Sequence, residues 1–412
     1  MYLNEERARD LMREFKIDAL VASTPENVTY IAGTVAWSTK VYAYSVHMLA
    51  VYPRDAGTAP ALVVPGQEMT YASMQQSWIK DLYTFAGKSA LVVPPGSKPE
   101  TPEEATFLGM YENDQRRARN AGAALAQALR ERGLDKGRIA LDQDRVMPDV
   151  RKQIEEALPE ATLIDGADLF RLIRVVKTPD EIAALRRAAE LNEKAATAAS
   201  KAVAPGMTEL EVAAVFAAEV GKGLGKWQWF HMCSGRRSVG IFPPTSKKLA
   251  RGEMWKFDAG LALDNYQADT GWGGTIGGPT DAQARMWEAT VAGFQSALSE
   301  VKAGALPSTI FNAMLEGTRA GGLPDHNGNF AGHAIGLEQR EIPYVLAAPT
   351  PIKSDFLPPT SDAPIEEGAT LCIENPCQIF GVGGTQIERT VIVTRNGYEY
   401  LCEQDRKLWV VD

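Results

Sequence analysis

The residues of this chain best suited to chemistry are four carboxylates and one imidazole in its second half. Asp258 and Asp269 lie in Trp255-Lys256-Phe257-Asp258-Ala259-Gly260-Leu261-Ala262-Leu263-Asp264-Asn265-Tyr266-Gln267-Ala268-Asp269. That stretch reads as two short strands joined by a turn at Asp264-Asn265, with one carboxylate on each arm. Asp258 alternates against Phe257 and Ala259, so it points away from its apolar neighbours. A second hairpin repeats the pattern: Glu374 lies in Leu371-Cys372-Ile373-Glu374-Asn375-Pro376, and Glu388 follows a Gly-rich turn in Gln386-Ile387-Glu388-Arg389-Thr390. Between the hairpins, Gly332-His333-Ala334-Ile335-Gly336-Leu337 sets an imidazole among small residues, where it can approach a metal closely. Two carboxylates projecting from one hairpin repel each other unless a cation lies between them. The expectation is a single two-metal site made by Asp258, Asp269, His333, Glu374 and Glu388.

Four carboxylates cannot stay ionised together in a partly buried cleft unaided, and two divalent ions balance their charge. Oxygen-rich ligation with one imidazole favours Mn(II), Fe(II), Co(II) or Zn(II) over Ca(II), with Mn(II) as the leading expectation. Two close metals share a water, lower its pKa and clamp the attacking and departing oxygens. Hydroxide attack on an amide-like carbon follows, with Glu374 as the proton shuttle. Two further residues are candidates for catalysis. His231, in Trp229-Phe230-His231-Met232-Cys233, reads either as a proton-handling group or as packed against aromatics. Arg340 reads either as a fork for a substrate carboxylate or as a partner of Glu338 or Glu341. Trp227, Trp229, Phe230, Phe242 and Trp272 read as core or as the lining of an apolar or cationic pocket. Glu374, ahead of Asn-Pro, has the alternative of starting a turn. His47 and His326 read as surface or loop positions, and Cys372 and Cys377 as small apolar packing residues.

The elements that must position these groups fall into two parts. A chain of 412 residues is too long for one ordinary core. Apolar content of 45% and charged content of 23% fit a globular protein, and a net charge of -9 without a basic run argues against nucleic acid or an anionic membrane as partner. No apolar run is long enough to span a membrane. The start lacks the layout of a secretion signal, and four scattered cysteines make no disulfide framework, so a cytoplasmic location is expected. Residues 1–170 alternate strands (17–23, 49–52, 61–64, 138–142) with helical patterns (5–16, 113–133, 148–157), which indicates an α/β domain. Residues 171–412 form the second domain. Thr178, Pro179 and Glu181 make a capping box at the start of a long Ala-rich helix, and Thr208 caps the next. Two halves of the second domain each read as helix, Gly/Pro turn, helix, then carboxylate-bearing strands. That predicts an α+β fold with pseudo-twofold symmetry and four carboxylates converging on one cleft. The run Gly381-Val382-Gly383-Gly384 has no helix pattern after it and is not read as a phosphate loop.

In order and context, the five residues match the ligand signature of the creatinase/aminopeptidase P/methionine aminopeptidase superfamily, the pita-bread proteins. The chain resembles that family over nearly its whole length. Asp18-Ala19-Leu20 and Asn27-Val28-Thr29-Tyr30-Ile31-Ala32-Gly33 look like its creatinase-type N-terminal domain, and Arg174 to Glu181 looks like its linker. The resemblance implies a metal-dependent hydrolase of Xaa-Pro peptidase type, taking a short-peptide or small-molecule substrate and assembled as a homodimer. The chain departs from the family pattern at three places. Phe242 occupies the place of a substrate-facing histidine, Arg340 that of a second histidine seven residues beyond the ligand histidine, and Gln386 that of an arginine two before the last glutamate. These exchanges imply a diverged substrate site. They keep ectoine hydrolase-like and dimethylsulfoniopropionate lyase-like chemistry open, together with a non-catalytic binding role.

Overall fold

The computed structural model describes residues 2–42, 47–88, 91–402 and 407–412. They form two compact units, Met1–Arg174 with Asp355–Leu357, and Val175–Ser354 with Pro358–Asp412. The first unit is a mixed seven-stranded sheet in the order Arg117–Ala118, Asp81–Phe85, Ala61–Pro65, Leu49–Pro53, Ala19–Ala22, Arg138–Leu141, Thr162–Asp165. Its central strands are buried throughout, as the apolar runs of the sequence require. The helix expected over 113–133 is three elements: a 3-10 turn Asp114–Arg116, the short strand Arg117–Ala118 and a helix Ala121–Arg130. Asn113 and Asn120 turn their side chains onto the backbone N–H groups of Arg116 and Ala123, which breaks the run and starts a new helix at Ala121–Arg130. A further helix, Pro102–Glu112, escapes the periodicity because only Phe107 and Met110 of it are buried. His47 is buried, not at the surface.

The second unit opens with helices α1 (Pro179–Ala202) and α2 (Glu209–Lys222), then strands β1 (Lys226–Ser234), β2 (Met254–Leu263) and β3 (Tyr266–Ile276). Helices α3 (Asp281–Glu300) and α4 (Pro307–Ala320) follow, then β4 (Phe330–Ala334), β5 (Glu341–Leu346), β6 (Thr370–Ile379) and β7 (Gly383–Thr394). The sheet runs β5-β4-β6-β7-β3-β2-β1. Outward from the β7/β3 contact, each side presents a hairpin and then a flanking strand, which is the pseudo-twofold arrangement of a pita-bread domain. The second unit is α+β, as expected. The capping box expected at Thr178/Glu181 is present, and Thr208, expected as a cap, forms a second box with Glu211. The turn between β2 and β3 places Asp264 and Asn265 at positive φ, the geometry of a tight two-residue hairpin. Gly381 lies in the β6/β7 turn, and Gly383 and Gly384 already belong to β7, so a strand and not a helix follows.

One face of this sheet is apolar. Trp255, Phe257, Ala259 and Leu261 of β2, with Leu371, Ile373, Ile387, Val391 and Val393, pack against Ala195 and Ala199 of α1, Phe216 of α2, Phe294 of α3 and Phe311 of α4. Every second residue of each strand is thereby consumed by the core, and the alternate set faces the other way. Asn375 locks β6 onto the helices, its amide donating to the Thr290 carbonyl at 2.8 Å and to Thr318 Oγ1 at 3.0 Å. Glu374 therefore lies inside a strand and not at a turn. Pro376 is tolerated because β4 pairs with β6 only as far as Ile373, leaving that side of β6 unpaired beyond it.

At the capping box of α1, Glu181 also accepts from the Tyr266 hydroxyl at 3.1 Å, and burial raises its pKa to about 7. A carboxyl raised on folding is protonated in the native state while the unfolded chain has already ionised. Its contribution is therefore complete below about pH 4.5 and is lost as pH rises towards 7. Glu181→Gln removes this dependence. Against the parent, its unfolding free energy should gain up to about 3 kcal/mol between those pH values, measured by denaturant unfolding. A constant difference across that range would show that Glu181 is already ionised in the native state.

Candidate metal centre

Strand register brings the carboxylates into one row. On the face opposite the core, His231 of β1 lies across from Asp258 of β2, which pairs with Gly271 of β3. Gly271 in turn pairs with Glu388 of β7, and Glu388 with Glu374 of β6. The central residue of the row has no side chain, which leaves room between the two hairpins. A Cβ on Gly271 would stand 2.5 Å from the Gln386 side chain. One step along the strands, Asp269 sits across from Gly260, and His333 of β4 across from Cys372 of β6. Gly332 makes that last approach possible: its φ is +145°, and a Cβ there would lie 1.9 Å from the Cys372 carbonyl oxygen.

Two groups of donor atoms result, each lying within 4.8 Å of one another: Asp269, His333, Cys372 and Glu388 in one, Asp258, Glu374 and Glu388 in the other. The structure thus brings together all five sequence-derived ligands, and Glu388 belongs to both groups. His333 Nδ1 lies 2.8 Å from the Ala334 carbonyl. A carbonyl can only accept, so the proton is on Nδ1 and the Nε2 lone pair faces Asp269, 3.6 Å from its Oδ2. Burial lowers the His333 pKa and keeps the ring neutral, the form that ligates.

The carboxylates carry the strain of the arrangement. Burial, followed by the charges of Asp258 and Asp269, pushes Glu374 to about 8. Burial and the neighbouring carboxylates raise Glu388 and Asp269 well above the ordinary carboxylate range. Asp269 Oδ1 is buried without a protein partner. These groups fit divalent cations, which would satisfy that orphaned oxygen and remove the mutual repulsion.

The place of Cys372, and the contacts that Trp229 and Gln386 make with the candidate ligands, were not read from the sequence. Cys372, expected as an apolar packing residue, stands among the candidate ligands. It shares the Glu374 face by simple alternation, its Sγ is 3.1 Å from Thr390 Oγ1, and burial holds the thiol well above its usual pKa. Cys377 does pack apolarly, with Met254 and Met286. Trp229 donates its indole N–H to Asp258 Oδ1 at 2.6 Å, lying across Gly260, where a Cβ would meet the ring at 2.0 Å. Gln386 donates to Glu388 Oε2 at 3.2 Å. The aromatic run divides: Phe230 and Trp272 are core, whereas Trp227 and Phe242 are exposed. The Arg340 guanidinium lies 5.3 Å over the Phe330 ring, which itself stacks on His333. Neither Glu338 nor Glu341 pairs with it; Glu341 is held by Lys177 at 2.6 Å. No helix among the described residues is long and apolar enough to cross a membrane.

Comparison with known proteins agrees with this architecture. Residues 183–395 match the model of metallopeptidase family M24, and residues 6–176 that of the creatinase/prolidase N-terminal domain. An Xaa-Pro dipeptidase of Pyrococcus furiosus is 27% identical over 246 residues, 58% of this chain and 67% of that protein. Two solved structures share the fold over 99% of both chains: the Xaa-Pro dipeptidase of Bacillus anthracis at TM-score 0.76 and 20% identity, and the X-Pro aminopeptidase of Thermotoga maritima at 0.73 and 22%.

If the two donor groups take cations, Mn(II) at about one hundred times its Kd stabilises the chelator-treated protein by about 2.7 kcal/mol per site. Glu388→Gln, which touches both groups, should abolish that gain in a thermal melt. An undiminished gain would place the bound ions elsewhere.

Proposed function

The chain belongs to metallopeptidase family M24, and from that membership we propose a dinuclear metal-dependent hydrolase that cleaves a C–N bond in a peptide or amide-like substrate. Its site is of Xaa-Pro peptidase type with altered substrate-facing groups. The observation that carries this reading is the presence of Glu388 in both ligand groups. Two ions would share Glu388, one held with Asp269 and His333 and the other with Asp258 and Glu374. The oxygen-dominated donor set favours manganese. When bound, such ions act as paired Lewis acids that lower the pKa of the attacking water and polarise the scissile carbonyl.

The remaining work falls to the protein. Glu374 takes the proton of the water and returns it to the leaving nitrogen. His231, half-buried and directly across from Asp258, takes up the other proton of that water, released when the product acid ionises. Trp229 fixes the orientation of Asp258 through its indole hydrogen bond. Arg340 anchors the substrate. It is exposed, it has no carboxylate partner among the described residues, and its charge reaches Asp269, Glu374 and His333. A guanidinium so placed suits a planar carboxylate held bidentately. The substrate is therefore a short peptide with a free C-terminus, or a small amide carrying a carboxylate.

Two measurements test this. Asp258→Asn should cost at least about a hundredfold in Mn(II)-dependent amide hydrolysis while the fold survives, as judged by circular dichroism. Arg340→Ala should raise KM for dipeptides about tenfold or more and leave dipeptide amides little changed. Full activity in the first variant, or equal losses on both substrate forms in the second, would contradict the assignment. Product formation without uptake of water would point to a lyase instead.

A further inference from the structure

The turn that carries Arg340 is built around a buried ion pair. Ala334 at the end of β4 pairs with Glu341 at the start of β5, which closes the loop 335–340. Backbone carbonyls pin its first half: Ile335 accepts from Thr370 Oγ1 of β6 at 2.6 Å, and Gly336 from the Gln267 N–H of β3 at 2.8 Å. A carboxylate ties down its second half. Glu341 Oε1 accepts from the Glu338 N–H at 3.3 Å, and Oε2 from the Lys177 ammonium at 2.6 Å. Gly336 lies so close to that carboxylate that a Cβ would stand 2.6 Å from either oxygen. The ammonium is placed by its own backbone, since the Lys177 N–H donates to the Gly368 carbonyl at 3.0 Å, one residue before the Thr178 cap of α1. The Lys177 side chain is 0% exposed and that of Glu341 4%. Arg340, the residue before Glu341, is exposed.

Such a pair is a poor device for stability. Both charges lose their hydration on burial, and apolar side chains of similar volume hold a fold together as well or better. What the pair supplies is direction. A carboxylate that holds an N–H on one oxygen and an ammonium on the other has a single orientation. With Glu341 fixed inward, the backbone from which the Arg340 side chain departs is fixed too. That guanidinium lies 5.3 Å over Phe330, whose ring stacks on His333, so the turn sets a cation beside the candidate centre.

Building on the reading of Arg340 as the substrate anchor, we propose that Lys177 and Glu341 are positioning residues for it: their buried pair fixes the turn at 338–340 so that the guanidinium meets the substrate carboxylate already oriented. Neither residue touches substrate. Orienting a flexible arginine in advance lowers the entropy lost when substrate binds, so the pair acts on affinity for the carboxylate and not on bond cleavage.

The experiment replaces the pair by apolar residues of similar size, Lys177→Met together with Glu341→Leu, which leaves no unpaired charge buried. KM and kcat are measured on a dipeptide and on its C-terminal amide, in the parent and in Arg340→Ala, and Mn(II) uptake is followed by titration calorimetry. The double replacement should leave Mn(II) uptake and kcat little changed, raise KM for the dipeptide about tenfold, and barely affect the amide. In Arg340→Ala it should add no further rise, because the group that the pair orients is gone. Glu341→Gln, which keeps the shape without the charge, should show the same selectivity at about threefold, and it carries the test if the double variant does not fold. An unchanged KM for the dipeptide, equal losses on dipeptide and amide, or a rise that adds to that of Arg340→Ala overturns the proposal while the Arg340 reading stands. No difference between dipeptide and amide in Arg340→Ala alone overturns that reading, and the proposal with it.

Discussion

The interaction on which the rest of this structure depends is the repulsion among Asp258, Asp269, Glu374 and Glu388. Each lies on the face of one sheet that the hydrophobic core leaves free, and burial alone already disfavours the charged forms of Asp269, Glu374 and Glu388. A protein can hold such a set together only by rigid backbone. Here that backbone is a pair of hairpins joined through Gly271 and Glu388, backed by four helices whose side chains occupy the opposite face. The core does more than stabilise. Because Phe257, Ala259, Ile373 and Ile387 must point into it, their neighbours have no choice but to point towards one another.

This explains how much of the site was legible in the sequence. A strand has a period of two, so an acidic residue among apolar ones announces its face without any knowledge of tertiary structure. Turn signals at Asp264-Asn265 and at the glycines of 381–384 then fixed which strands were neighbours. The same rule would have placed Cys372 beside Glu374, but a cysteine between Leu371 and Ile373 looks like one more apolar residue. Trp229 could not be placed by alternation, because the pairing of β1 with β2 shifts between Trp227 and Trp229. Lys256 was passed over for a different reason: lysines are almost never buried, so the prior for a solvated side chain is strong. In the first unit the failures were local, where asparagine side chains competed for backbone N–H groups inside an apparently continuous helical run.

The five clustered residues also determine where the site is free to vary. Moving any of the five would shift a strand by one residue and turn the core inside out. Charge can change without that penalty only two residues before or after a ligand on the same strand, or on the loops beyond the strand ends. The unusual groups of this chain occupy those places. Lys256 and Gln386 stand two residues before Asp258 and Glu388; Cys372 and Thr390 flank Glu374 and Glu388 at the same spacing; Arg340 and Phe242 lie beyond strand ends. Gln386 donates to Glu388 on one side of Gly271, while the buried Lys256 stands two residues before Asp258 on the other, so the two hairpins carry unlike groups at the same spacing from their carboxylates.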